Sequence, residues 1–369
     1  MIELRFATEI SYNMHQVNAA KESFERAKPG VTIVVEQYSD YFEMMRAYKS
    51  DAPPDMMETG GLQMSNADGV FVDLNPFVAE DGLEEDLYPG LMRAARHFGA
   101  LYGLPVEVSA PLIVYDKEAF DREGLAYPSE DWTWDDMVGL AKRLTVRDGQ
   151  GAARRFGLEL GIDVEWFEPF VMRNGGSYLA PDGATSRGYA DSPATVEAYR
   201  MLVDAYARHG IVRKPNEPMA ADAEGGGAAM TFAFSWHAEH QFRNQERYGV
   251  VGLPNMPGQV QANMIYMGGA GVTAKSAHPR LAWEFLRHYV VDCPSWTPPI
   301  AKSQAERRGF TGHPLFSRYL EELDRVQVSG FFLSRRWNAS RQLINEDIQR
   351  MITEGADVVQ TLRSWSRYA

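Results

Sequence analysis

The first sixty or so residues constrain the fold most, because they alternate between short apolar runs and stretches with helical spacing. Glu3 to Ala7 reads as a strand, after which Val17, Ala20, Phe24 and Ala27 recur at the period of a helix that buries one stripe. Lys28-Pro29-Gly30 stops that helix, since proline cannot donate to it and glycine tolerates the turn. Val31 to Glu36 is a β-branched run fit for a buried parallel strand. Ala52-Pro53-Pro54-Asp55 breaks a second helix and leads into the apolar Met56-Met57. Strand, helix, strand, helix, strand in this order predicts an α/β chain with a doubly wound, parallel sheet.

A chain of 369 residues is longer than one hydrophobic core usually serves, so more than one domain is expected. With 45% hydrophobic and 24% charged residues it has the composition of a soluble globular protein. Its net charge of −13 sets up a field that repels nucleic acid and anionic membrane surfaces. Cys293 is the only cysteine, which rules out an internal disulfide and any cysteine-based zinc site. No window approaches the roughly 18 consecutive apolar residues of a membrane-spanning helix. The opening Met1-Ile2-Glu3-Leu4-Arg5-Phe6 has none of the regions of a secretory leader, which leaves a cytoplasmic protein or an exported one whose leader is absent from this chain.

Farther along, Leu101-Tyr102-Gly103-Leu104-Pro105 precedes a strand over Pro111 to Tyr115, and Asp116 to Glu123 is helical. Thr133 with Asp136 forms a capping box ahead of a helix whose buried face is Trp134, Met137, Val138, Ala141 and Leu144. A helix over 195–207 places Val196, Tyr199, Val203 and Tyr206 on one side. The glycine run at 223–227 precedes a strand over 229–234, and helices are expected over 279–290, 314–326, 338–353 and 357–366.

Several motifs invite a chemical reading and fail on spacing. Gly269-Ala270-Gly271-Val272-Thr273-Ala274-Lys275-Ser276 nearly matches a phosphate-cradling loop, but it carries alanine before the lysine and lacks the flanking context, so a strand ending in a turn is expected. His237 and His240 stand three apart, without the i, i+4 spacing of a helical zinc site. There is no Gly-x-Ser-x-Gly elbow, and Asp292-Cys293-Pro294 gives the thiol no reactive setting. Glu165 and Glu168 could serve as a glycosidase pair, although carboxylates also suit a helix start. Neither a cofactor nor a metal is expected. Among the eight tryptophans, Trp132 and Trp134 suit core and cap packing. Trp166, Trp236, Trp296 and Trp337 fall near loop-to-element junctions, where an exposed ring would suit the C–H face of a sugar.

The order of short signatures resembles the extracellular solute-binding proteins of bacterial ABC importers, in the family 1 group that includes maltose- and maltodextrin-binding proteins. Phe24-Glu25-Arg26-Ala27-Lys28-Pro29-Gly30-Val31 is similar to that family's first helix end and second strand. Ala52-Pro53-Pro54-Asp55-Met56-Met57 is similar to its Pro-Asp strand, with Ala52 where glycine is usual. Tyr102-Gly103-Leu104-Pro105, then Ile113-Val114-Tyr115-Asp116-Lys117-Glu118-Ala119-Phe120, resembles the hinge region, with Asp116 in place of an asparagine. Trp132-Thr133-Trp134-Asp135-Asp136 resembles the family's Thr-Trp helix start, and Gly226 to Met230 with Ser235-Trp236 its Ala-Ala-Met strand. Gly271 to Pro279, followed by Ala282-Trp283-Glu284-Phe285-Leu286, completes the series.

The resemblance implies a periplasmic-binding-protein-like fold of two lobes, each a doubly wound, mainly parallel sheet flanked by helices, with a hinge crossed three times. Lobe one would hold 1–110 and 263–303, and lobe two 111–262 and 304–369. It implies a non-catalytic component of an ABC importer that captures a mono- or oligosaccharide between the lobes and delivers it to membrane permease subunits. The protein would be exported, monomeric and not itself inserted in the membrane. Ligand contacts would come on lobe one from Thr8, Glu9, Ser11 and Tyr12, from Gly60, Gly61 and Gln63, and from Glu107 and Ser109. On lobe two they would come from Glu165, Trp166 and Glu168, from Trp236, and from Trp337 with Arg341. Gly268 and Gly269 would let backbone approach the sugar closely. Thr59-Gly60-Gly61 stands where maltodextrin binders usually place an aromatic, which favours a smaller or differently linked sugar over a long α-glucan. Two other readings stay open at this point. One is a cationic or osmolyte ligand in a box of tryptophans and acids, and the other an enzyme using the cleft carboxylates.

Overall fold

A computed structural model describes residues 1–9, 14–221, 223, 227–293 and 297–369. Ser11, Tyr12, Gly226 and Trp296 therefore lie outside the described residues. The chain divides into two compact units, one of Met1–Ser109 with Ile265–Gly312 and one of Ala110–Met264 with His313–Ala369. It passes from one to the other three times.

In unit one the opening alternation folds as expected. Ile2–Thr8 pairs in parallel with Val31–Gln37 on one side and with Met56–Thr59 on the other. The intervening helix Met14–Ala27 buries Val17, Ala20 and Phe24, the stripe its spacing dictates. Phe24 meets Phe285 edge to face at 5.4 Å, which fixes that helix against Pro279–Arg287. Asn263–Val272 runs antiparallel between Met56–Thr59 and Leu104–Ser109. Gly269 to Ser276 is thus the end of a strand and its turn.

Unit two is built on a sheet ordered Tyr248–Val251, Leu112–Asp116, Met230–Ala233, Leu158–Glu159. Its first two pairings are antiparallel and only the last is parallel. Both sheets are therefore mixed rather than mainly parallel. Helices join Ile2–Thr8, Val31–Gln37 and Met56–Thr59 in succession, and these are the strands that pair in parallel in unit one. The capping box forms as expected, Thr133 and Asp136 satisfying each other's main-chain groups ahead of Trp134–Leu144. Ser192 caps Pro193–Ala207, whose Val196, Tyr199, Val203 and Tyr206 are buried.

Element ends differ from expectation in the C-terminal third. The helix expected over 314–326 is Phe316–Glu322, followed by a short strand, Val326–Val328. The helix expected over 338–353 is two, Arg335–Ala339 and Arg341–Thr353, separated at Ser340. Pro279–Arg287 passes directly into a π-turn over His288–Asp292. Among the described residues no helix is long and apolar enough to cross a membrane.

Candidate functional site

In unit two the candidate site grows from the start of Val164–Arg173. Asp163 caps this helix by accepting from the Glu165 main-chain N–H at 2.9 Å. The same carboxylate accepts from Arg341 Nε at 2.9 Å and Asn345 Nδ2 at 2.7 Å, which ties the helix to the start of Arg341–Thr353. Arg341 extends its other arm to Glu165 Oε2 at 3.0 Å and lies over the ring of Phe331. Burial pushes the Glu165 carboxyl up to about 7, with Asp163 adding to the rise and Arg341 opposing it. Its second oxygen, Oε1, is buried and has no hydrogen-bond partner among the described residues.

One position on, Trp166 is half-buried. Its ring lies 5.4 Å from Phe232 and 5.9 Å from His237. Trp236 is half-buried too, stacked on Phe234 at 4.9 Å with the planes 8° apart, and 5.9 Å from the same His237. The buried Phe232 and Phe234 both come from the end of Met230–Ala233 and its extension. They form an apolar layer against which two partly exposed tryptophans pack, each 5.9 Å from the same imidazole.

Unit one offers polar groups at strand ends. The Thr8 hydroxyl donates to the Glu58 carboxylate, and the Glu9 main-chain N–H donates to Glu58 Oε2 at 3.0 Å. Gly60 leads into the short helix Gly61–Ser65, and a Cβ on Gly60 would fall 2.5 Å from Gln63 Oε1, so that side chain folds over the glycine. Glu107 sits in the left-handed region at φ 55° where the pairing of Leu104–Ser109 with Asn263–Val272 slips between Tyr266 and Gly268. A non-glycine residue at positive φ beside a slipped pairing is a bulge-like break in the regular ladder. Ser109 is buried at the end of that strand. No group of histidine, cysteine and carboxylates among the described residues could hold a metal ion.

The profile of the bacterial extracellular solute-binding proteins matches residues 11–290. The chain belongs to that family. The sn-glycerol-3-phosphate-binding periplasmic protein UgpB of Brucella abortus is 24% identical over 282 residues, 70% of this chain and 63% of that protein. An arabinooligosaccharide-binding protein of Halalkalibacterium halodurans is 22% identical over 302 residues, 68% of this chain and 62% of its own length. The chain thus spans somewhat under two thirds of the length of these curated relatives. The sugar-binding protein MalE of Xanthomonas citri superposes with a TM-score of 0.81 at 17% identity, covering 99% of this chain and 96% of that one. The fold is that of the periplasmic binding proteins, two α/β units with mixed sheets.

Against that fold, four of the expected contact residues have other employment. Trp337 is 1% exposed, packed at 5.4 Å on Tyr178 and at 5.8 Å on Trp365, so its ring is core of unit two and offers no face to a solute. Gly268 and Gly269 lie between two strands. A Cβ on Gly269 would sit 2.4 Å from Thr59 Oγ1 and one on Gly268 3.3 Å from Val106 Cγ2, so the close approach they permit is that of protein to protein. Glu168 is also turned inward, accepting from the Ser329 hydroxyl and from the Gly330 main-chain N–H at 2.7 Å. Burial raises its carboxyl to about 8. The structure does bring Glu165, Trp166, Trp236 and Arg341 into one connected cluster. Sequence reasoning missed Asp163 and Glu58, which hold Arg341 and Thr8, and weighed His237 only as half of a histidine pair. Asp163 two places before Glu165 is the one signal that helix-capping rules could have caught.

Proposed function

We propose that this chain is the exported solute-capturing component of an ABC importer, working as a monomer with membrane permease subunits, and that its solute is a carbohydrate taken up without chemical change. The observation that carries the reading is the pair of half-buried tryptophans, Trp166 and Trp236, held over a phenylalanine layer beside a buried carboxylate and its arginine. Pyranose C–H faces pack on such rings, while the part-exposed Arg341 guanidinium, held by the buried Glu165, offers donors to hydroxyls. The arabinooligosaccharide-binding relative and the MalE-like structure point the same way. The net charge of −13 supports a small solute rather than nucleic acid as the partner.

A cationic solute is the second reading, favoured by the Glu165 oxygen that has no donor among the described residues, on the residue that precedes Trp166 in the helix. A thermal-shift screen over neutral sugars and quaternary amines separates the two, because a ligand of the folded state raises the midpoint by mass action. Trp166→Ala or Trp236→Ala should weaken the identified sugar by at least about tenfold, since each removes roughly 1.5–3 kcal/mol of apolar contact. Unchanged affinity by calorimetry in both variants would overturn the site. Turnover of any sugar on incubation would overturn capture without chemistry.

A further inference from the structure

Unit two carries a groove of about 900 Å³, within the roughly 300–1,000 Å³ of small-molecule sites. One wall is the 160–162 segment, another the 213–216 segment after the Pro193–Ala207 helix, and the third a face of Arg341–Thr353. Its charges are unequally matched. Arg341 is paired with Asp163 and Glu165, and Glu346 accepts from the Gln342 amide at 3.2 Å. Arg213 and Lys214 have no ion-pair partner among the described residues. The adjacent Glu217 carboxylate is taken by Arg147 at 3.3 Å and by the Lys214 main-chain N–H at 3.1 Å. Among the described residues Arg213 uses only Nε, on the Glu217 carbonyl at 2.9 Å, which leaves the outer guanidinium nitrogens for another acceptor. Beside this cation pair, Asn216 at φ 62° and Gln349 supply amides.

The groove adjoins the tryptophan cluster. Gly161 lines it, and a Cβ there would fall 2.9 Å from the Trp166 ring, so the glycine is the shared wall between groove and ring. We propose that the groove is a subsite for an oxyanion, a phosphate or a carboxylate, borne by a saccharide that extends past Gly161 from the Trp166 ring. The inference rests on the carbohydrate reading above and narrows it to acidic or phosphorylated sugars. Arg213 supplies a planar fork that matches a phosphate or carboxylate edge, Lys214 a compact charge, and the amides reach the neighbouring hydroxyls.

Calorimetry on the full chain with glucose, glucose 6-phosphate, glucuronate and inorganic phosphate tests this. The anionic sugars should bind tighter than glucose, lose affinity as salt is raised, and weaken about tenfold or more in Arg213→Gln/Lys214→Gln, the loss expected for a charge-assisted hydrogen bond. Glucose 6-phosphate against glucuronate decides which oxyanion is preferred. Anionic sugars that bind no better than glucose, or equally well to the double variant, overturn the subsite and leave the carbohydrate reading standing. Inorganic phosphate bound in a Lys214-dependent way, with no sugar bound at all, keeps the anion site and removes the carbohydrate reading.

Discussion

Replacing Glu168 by glutamine should flatten the pH dependence of unit two's stability. The side chain is 2% exposed, accepts from Ser329 and Gly330, and has its carboxyl pushed up to about 8 by burial, with Glu165 adding to the rise. In the unfolded chain a glutamic acid titrates at about 4.3. For an acid whose folded value is the higher one, the unfolded state gives up its proton first. Stability therefore falls as pH rises from about 4.3, and the fall ends near 8, where the folded group ionises too. Each pH unit in that window is worth about 1.4 kcal/mol, so between pH 5 and 7 this one group removes about 2–3 kcal/mol. Glutamine is nearly isosteric with the protonated acid, keeps an acceptor for the Gly330 N–H and offers the Ser329 hydroxyl a donor. Urea unfolding followed by tryptophan fluorescence reports mainly on unit two, because among the described residues six tryptophans lie there and only Trp283 lies in unit one. Wild type should lose about 2–3 kcal/mol more than E168Q on going from pH 5 to 7. Parallel pH profiles would mean that Glu168 is already ionised in the folded protein and that Ser329 and Gly330 outweigh its burial.

Two further outcomes follow from packing. Trp337→Ala should lower the unfolding free energy of unit two by about 3–5 kcal/mol, the usual cost of truncating a buried aromatic, and leave sugar affinity at saturating folded protein unchanged. Gly269→Ala should destabilise unit one by about 1–3 kcal/mol through overpacking on Thr59 Oγ1 and Met64 Sδ, and adding Thr59→Ala should recover part of that loss in thermal melts.

What was legible in the sequence is what local rules determine. The Val17, Ala20, Phe24 stripe and the Thr133–Asp136 box are set by neighbours within a helical turn or two, and both stand as read. Trp132 and Trp134 are buried in cap and core, as their place beside that box suggests. Trp337 could not be read this way. Its burial is decided by Tyr178 and Trp365, which arrive from distant parts of the chain. The same holds for Gly269, whose lack of a side chain answers to Thr59 more than two hundred residues earlier. A junction tryptophan and a mid-strand glycine look alike in sequence whether a ligand or another strand lies against them.

Glu165 and Glu168 show how far that ambiguity reaches and how geometry resolves it. They stand three positions apart on one helix, and on residue type alone either could face a solute. Glu168 has both oxygens satisfied by Ser329 and Gly330, so a solute would have to compete with protein donors that are already in place. Glu165 has one oxygen on Arg341 and the other without a donor, in a buried setting where an unmet acceptor costs about 1–3 kcal/mol. Oε1 is buried, so a hydroxyl or ammonium reaches it only by displacing what covers it; once there it recovers that cost and favours the ionised carboxylate, which should pull Glu165 below about 7. Of the two acids, Glu165 is therefore the one whose state a solute can change.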